Sequence, residues 1–157
     1  MQRWHWAALV SIASGLLVAE GEARPTPETI SYRTGPCYGT CPAYRVTVSA
    51  DGKGVFEGER FTKVTGSHTF RVSKAEWLEF RRRLQPLRGQ GTVRLEDGEG
   101  CRIMATDMPT VEVRWSNGAR ASNLRINYGC DPARYGWMFT HLREAPKALP
   151  IAALVGR

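Results

Sequence analysis

The chain has 157 residues and a formal net charge of +7 at pH 7, with 22 Lys and Arg residues against 15 Asp and Glu residues. This length suits a single domain that buries a real core but still gains noticeably from disulfides. The basic balance predicts either contact with an anionic surface, such as phospholipid headgroups, lipopolysaccharide or an acidic glycan, or a solvated arginine-rich surface. It does not predict a nucleic-acid partner, because the chain has no basic motif interleaved with aromatic residues.

Residues 1–23 have the pattern of a signal peptide. Arg3 precedes an apolar run at 7–19 that is too short to span a bilayer comfortably and long enough for a signal-peptide core. Gly21 and Ala23 are small residues at the positions that cleavage after Ala23 requires. The alternative is a segment that is retained as a membrane anchor. We favour cleavage and predict a periplasmic or secreted protein with no transmembrane helix in the mature chain.

After a linker at 24–28, alternating apolar and polar residues predict an antiparallel meander. A first strand covers 29–34, and the run 44–48 alternates in the same way. The Asp-Gly pair at 51–52 is a strong hairpin signal, and a return strand follows it. A further strand is predicted at 68–72.

The period then changes to that of a helix. Ser73 and Glu76 form a capping box, in which each side chain satisfies a free N–H group at the start of the helix. Apolar residues recur at intervals of three and four and share one stripe: Trp77, Phe80, Leu84 and Leu87. Arginines at 81–83 lie mostly on the opposite side, where we favour a solvated face over an anion site.

A polar, glycine-rich loop at 89–100 contributes little core. Two strands, 110–115 and 120–126, flank an Asn-Gly turn and form a second hairpin. Asp131 is predicted as the N-cap of a final helix, followed by a proline in the first turn. An apolar-leaning tail at 146–157 ends the chain.

These elements predict one α+β domain at 29–145. We expect an antiparallel sheet of about five or six strands with two helices on one face. Disulfides are expected to stabilise it.

The four cysteines are an even number, which favours disulfides in an exported chain and allows three pairings. The preferred pairing is Cys37–Cys41 and Cys101–Cys130. A disulfide lowers the chain entropy of the unfolded state, and on this basis Cys101–Cys130, which closes the longer loop, would stabilise the fold by about 3.5 kcal/mol. Cys37–Cys41, which closes the short loop, would stabilise it by about 2 kcal/mol. Cys37–Cys41 therefore either shapes its turn or does chemistry.

A chemical role for Cys37 and Cys41 is the alternative to a structural disulfide. The spacing Cys-x-x-x-Cys-Pro resembles that of the Sco-type copper chaperones, but Cys41 leads directly into a predicted strand rather than a helix. Neither a helix N-terminus nor a Cys-x-x-Cys loop is predicted there to lower a thiol pKa. We therefore predict no cofactor and no metal site.

Asp107 is the remaining candidate functional residue. It stands just before a strand and could act in a hydrolase, although an Asp in such a position more often forms a turn with its own backbone. No nucleophile-elbow pattern surrounds any serine, so the sequence favours a non-catalytic protein.

The motifs together resemble the bacterial family known as domain of unknown function 6438. The similarity includes the strand at 29–34, the cysteine turn at 37–44, the Asp-Gly hairpin and the segments 106–109 and 128–130, and it covers roughly residues 29–145. It implies a small exported or lipoprotein-borne α+β domain. The family carries no established activity, so the resemblance assigns no catalytic residue.

We therefore expect an exported binding or interaction module, stabilised by disulfides. Its partner is an unknown protein or an envelope ligand, an anionic one included. The alternative is a thiol-redox or Cu(I)-handling protein that uses Cys37 and Cys41.

Overall fold

The computed structural model describes residues 26–156. The predicted signal peptide and the first two residues of the predicted linker lie outside the described residues. The strands are β1 (Thr29–Thr34), β2 (Ala43–Ser49), β3 (Lys53–Arg60), β4 (Gly66–Arg71), β5 (Thr92–Leu95), β6 (Thr110–Asn117) and β7 (Arg120–Asn127). The α-helices are α1 (Lys74–Leu84), α2 (Pro132–Glu144) and α3 (Ala152–Val155), and short 3₁₀ turns cover Gln85–Leu87, Gly98–Gly100 and Ala145–Ala148.

The strands form one sheet in the order β4-β3-β2-β1-β6-β7-β5. The first four strands are the predicted antiparallel meander, and β6 and β7 are the predicted second hairpin. Strand β1 joins the two halves by pairing antiparallel with β6. Strand β1 is therefore the middle strand of the sheet.

The predicted α+β class is confirmed, but the predicted sheet was too small and wrongly described as purely antiparallel. The sheet has seven strands, and β5 pairs parallel with β7. Strand β5 lies inside the segment 89–100 that the sequence indicates as a loop. Its four residues between glycines are too few to show a strand period, yet Leu95 is buried in the core. A third helix, α3, follows the two that were predicted.

Strand alternation places one set of side chains on a single buried face of the sheet. This core face contains Ile30, Tyr32, Tyr44, Val46, Val48, Phe56, Val111, Val113, Trp115, Leu124 and Ile126. The predicted stripe of α1 packs against it, as do Met138, Phe139 and Leu142 of α2. The capping box is also confirmed, because Ser73 N donates to Glu76 Oε2 at 2.7 Å and Ser73 Oγ accepts from Glu76 N at 3.3 Å.

Asp131 is the N-cap residue of α2, as predicted, but its side chain does not cap the helix. Its backbone is left-handed, with φ of 39°, and its carboxylate makes no capping hydrogen bond to the helix. The carboxylate instead accepts a hydrogen bond from Arg102 N at 3.2 Å, and Asp131 N donates to Ile103 O at 2.8 Å. Asp131 therefore ties the loop before β6 to the start of α2.

The C-terminal segment packs onto the domain. Leu149 and Ile151 are buried in the core cluster. The backbone amides of Lys63 and Val64 donate to Val155 O and Leu154 O, both at 3.2 Å. The residues that the sequence indicates as a tail thus hold the loop between β3 and β4.

Candidate functional site

The second face of the sheet is polar, and within residues 26–156 the helices pack against the opposite, core face. Side chains out of phase with the core residues point to this second face, as the two-residue period of a strand requires. Most of them are charged or carry hydroxyl or amide groups. We call this surface the open face.

The strand register assembles a row of charged side chains across six strands of the open face. From β3 to β5 the directly paired residues of this row are Glu57, Arg45, Arg33, Glu112, Arg125 and Arg94. Residues far apart in the chain thus become nearest neighbours. Four arginines and two glutamates share one line of the sheet.

A second row runs beside the first and contains two short side chains next to a long one. Thr47, Ser31 and Arg114 are paired in register across β2, β1 and β6. Thr47 Oγ1 lies 3.2 Å from Ser31 Oγ and donates to it. Because Ser31 and Thr47 are short and the arginines around them are long, the surface forms a depression above these two residues.

Arg33 is held in place by Glu59. Its Nε and NH2 groups donate to the two carboxylate oxygens of Glu59 at 2.9 and 2.8 Å. This hydrogen bonding raises the pKa of Arg33 and lowers the pKa of Glu59. The guanidinium is thereby fixed over the middle of the open face.

Glu112 is the central carboxylate of the open face. Its Oε1 accepts from Arg114 Nε at 2.7 Å and from Asn123 Nδ2 at 3.3 Å, and its Oε2 lies 3.6 Å from Arg125 NH1. Burial alone would raise the pKa of Glu112, but the hydrogen bonds from Arg114 and Asn123 and the charges of Arg114 and Arg125 together lower it. Glu112 therefore stays ionised at neutral pH and holds the side chains of Arg114 and Arg125 in position.

Two shallow depressions lie on the open face, and both are lined by Arg33 and Glu112. One, of about 210 Å³, extends to Gly35 and Pro36 at the base of the cysteine turn. The other, of about 340 Å³, includes the hydroxyls of Ser31 and Thr47. Both volumes suit a small charged group rather than a large buried ligand.

The predicted disulfide Cys37–Cys41 is present in the loop between β1 and β2, with its Cα atoms 5.7 Å apart. Both cysteines are half-buried, and Tyr38 between them is 88% exposed. Tyr38 N donates to Asp107 O at 3.2 Å. The turn is thereby pinned to the loop that precedes β6.

The structure thus brings Asp107 beside the cysteine turn, but through its backbone. Its side chain is exposed, its φ is 67°, and its Oδ2 accepts from Thr106 Oγ1 at 3.2 Å. An Asp in the left-handed region is a common turn residue. This geometry fits the turn-forming interpretation of Asp107.

The second disulfide joins Cys101 to Cys130, with Cα atoms 5.2 Å apart. It matches the preferred pairing and ties the loop before β6 to the start of α2. Both cysteines are buried in the core cluster.

The described residues contain no cluster of three or more His, Cys, Asp or Glu side chains that could hold a metal ion. Nor is any helix between residues 26 and 156 both long enough and apolar enough to cross a bilayer.

The arginines of α1 are paired: Arg81 with Glu28, and Arg82 and Arg83 with Glu79. They do not form a free anion site.

Sequence reasoning did not single out the open-face arginines. Alternation within β2 already places Arg45 and Thr47 on the polar side, and this was the available signal. The missing information was the pairing of β1 with β6, which sets Arg33 beside Glu112.

Comparison with known families assigns most of the described chain to a family. A family model described as "Domain of unknown function (DUF6438)" matches residues 28–146. No curated protein matches the chain.

Proposed function

The chain belongs to the DUF6438 family, and we propose that it is an exported, non-catalytic module that binds an anionic envelope ligand through its open face. Two disulfides are typical of proteins that work outside the cytoplasm. The predicted signal peptide at 1–23 would direct the chain to the periplasm or the cell exterior.

The observation that carries this proposal is the row of charges on the open face. Antiparallel sheets often leave one face to water, and such a face needs only scattered polar residues. Here long arginines from β1, β2, β6 and β7 line two depressions, and Arg94 of β5 continues the same row. Arginine presents several donors in a fixed planar fork and is well suited to anionic groups.

A binding assay with a matched pair of variants tests the proposal. The probes are lipopolysaccharide, an acidic polysaccharide and phosphatidylglycerol vesicles, each measured at low and high salt. The open-face variant is Arg94→Gln/Arg114→Gln, and the control is Arg82→Gln/Lys147→Gln on the helical side. The two variants lose the same charge from side chains of similar exposure.

We expect at least one probe to bind and the open-face variant to weaken it about fivefold to tenfold. The control should bind like the unchanged protein, and added salt should weaken all binding to an exposed surface. Equal loss in both variants would reduce the effect to net charge and contradict an open-face site. Failure of all three probes would contradict the proposal as a whole.

Export has its own test, which is the mass of the protein recovered from the cell envelope or medium. The proposal expects a chain that starts at Arg24 and carries no free thiol. An intact N-terminus on a cytoplasmic protein would contradict it.

A second candidate function remains thiol-redox or Cu(I) handling by Cys37 and Cys41. It is favoured by one observation, the greater exposure of this disulfide compared with Cys101–Cys130. Stoichiometric Cu(I) uptake by the reduced protein that Cys37→Ser abolishes would support it. Four cysteines that stay blocked under mild reduction would exclude it.

A further inference from the structure

We propose that the larger depression on the open face is a site for a tetrahedral oxyanion, the phosphate or sulfate group of a ligand. We call it the Ser31–Thr47 basin. It is lined by Ser31, Arg33, Arg45, Thr47, Glu57, Glu112 and Arg114. This inference rests on the proposed function, because it names the chemical group that the open face would recognise.

The floor of the basin provides hydroxyl groups. Thr47 Oγ1 donates its hydrogen to Ser31 Oγ at 3.2 Å. Since a hydroxyl has one donor and accepts as well, the hydrogen of Ser31 remains available to a ligand above the floor. The floor therefore offers a donor without a competing charge.

The walls carry guanidinium groups, and some of their N–H donors make no hydrogen bond to residues 26–156. Arg114 has a side chain that is 68% exposed, and its Nε bonds Glu112 while its two terminal nitrogens have no partner among residues 26–156. Arg33 uses Nε and NH2 for Glu59, which leaves NH1 without a described partner. Arg45 lies 3.8 Å from Glu57, too far for a hydrogen bond.

The charges of the basin also favour an anion. Arg33 and Arg45 are directly paired across β1 and β2. Like charges in directly opposite positions destabilise a sheet, and an anion placed between them would turn the repulsion into attraction. Three arginines and two glutamates line the basin, and Arg33 is also paired with Glu59, which is not a lining residue.

The arrangement of donors fits a tetrahedral group better than a planar one. Donors approach from the floor and from several sides, and phosphate or sulfate presents oxygens in all these directions. A carboxylate offers two oxygens in one plane and at most one negative charge. A phosphate ester carries a charge of about −1.5 to −2 at neutral pH. A cavity of about 340 Å³ that is open to solvent holds such a group and lets the rest of the ligand extend outward.

The test is an NMR titration of the oxidised protein with inorganic phosphate, sulfate and acetate at constant ionic strength. We expect saturable shifts of the amides of Ser31, Thr47 and Arg114 with phosphate and sulfate, and affinity for acetate at least about tenfold weaker. Arg114→Gln should weaken phosphate binding about tenfold or more, because it removes charge-assisted hydrogen bonds. Arg82→Gln, an exposed arginine of α1, is the matched control and should change nothing.

Ser31→Ala is a second variant, and it removes the hydroxyl whose hydrogen is available to the ligand. It should weaken phosphate binding a few-fold, the effect of about one neutral hydrogen bond. The inference is wrong if phosphate and sulfate give no saturable shifts in the basin, or if Arg114→Gln and Arg82→Gln bind phosphate alike. It is also wrong if acetate binds as tightly as phosphate.

The source of the oxyanion is distinguished by sedimentation with phosphatidylglycerol vesicles. Cosedimentation that Arg114→Gln abolishes identifies a lipid headgroup, while phosphate binding without cosedimentation identifies a soluble ligand. Either result supports the basin as an oxyanion site. Binding of an envelope probe that Arg94→Gln/Arg114→Gln weakens, with no effect of phosphate on the basin, overturns this inference and leaves the proposed function standing. No effect of any probe overturns both.

Discussion

Trp115 and Arg114 are adjacent on β6, yet they belong to two different surfaces of the molecule. Trp115 is 1% exposed and lies on the core face, whereas Arg114 projects from the open face into solvent. The core face is closed by helices and tolerates little change, because tightly packed side chains have no room to move. The open face holds its side chains by ion pairs, which are weak individually and can be exchanged for ligand contacts.

The disulfides show the same contrast. Cys101–Cys130 is buried with the core, and Cys37–Cys41 is half-exposed beside the smaller depression of the open face. One face therefore supplies stability, and the other is free to supply recognition.

The largest expected difference between the faces comes from substituting these neighbouring residues of β6. Trp115→Ala should lower the free energy of unfolding by about 3–5 kcal/mol, because it leaves a cavity in the core. Arg114→Ala should lower it by less than about 1 kcal/mol. Urea unfolding of both variants measures the difference. Equal losses would mean that the open face is as important for stability as the core.

The disulfides provide the second comparison. Replacing Cys101 and Cys130 with alanine should cost about 3.5 kcal/mol, and replacing Cys37 and Cys41 about 2 kcal/mol, because the closed loops differ in length. Thiol labelling under mild reduction should modify Cys37 and Cys41 first, since they are more exposed. Prior labelling of the buried pair would contradict this order.

Low pH should weaken the stability that the open face contributes, because it protonates Glu112. The pKa of Glu112 is lowered from its ordinary value of 4.5, so its contribution to stability is present above that value and is lost as pH falls through the lower folded pKa. Glu112→Gln should cost about 1 kcal/mol at pH 7, where the charge is bound by its arginines. The gap between the variant and the unchanged protein should shrink in urea unfolding as the pH falls below 4.5. A gap that does not change with pH would contradict the role assigned to this carboxylate.

Alkaline pH should destabilise the core face, through ionisation of the buried Tyr32. Burial raises the pKa of Tyr32 well above 10.0, and ionisation of Tyr128 and Tyr44 would raise it further. The stability that depends on neutral Tyr32 is complete below 10.0 and is lost as pH rises through the folded pKa. Tyr32→Phe should cost about 1 kcal/mol at pH 7, because it removes the hydrogen bond with Tyr128.

Above the ordinary tyrosine pKa, the stability of Tyr32→Phe should fall less steeply with pH than that of the unchanged protein. Urea midpoints across this alkaline range provide the measurement. Parallel curves for the two proteins would show that Tyr32 is not the group that titrates.

Local patterns were sufficient to predict much of the core. The capping box at Ser73, the stripe of α1 and the two hairpins depend on residues that are close in the chain, so their signals are complete within a short window. Of the three pairings that four cysteines allow, the preferred one is the pairing that the structure has. The family resemblance over roughly 29–145 is likewise confirmed by the match to residues 28–146.

The features that could not be predicted depend on contacts between distant segments. Strand β5 is stabilised by its parallel pairing with β7 rather than by a strong pattern of its own. Asp131 adopts its left-handed conformation while bonding Arg102 and Ile103. The open-face rows also require strand order, because alternation defines which side chains share a face of one strand but not which strand lies beside it.

The middle position of β1 has a consequence for the newborn chain on the ribosome. Strand β1 is synthesised first, but its neighbour β6 follows only after β2 to β5 and α1 have emerged. Until then one edge of β1 offers unpaired backbone groups to any other strand that it meets. A sheet closed by such distant pairing forms slowly, and shorter pieces of it expose that edge permanently. The nascent protein therefore keeps an open edge at its central strand until β6 has been synthesised and paired with β1.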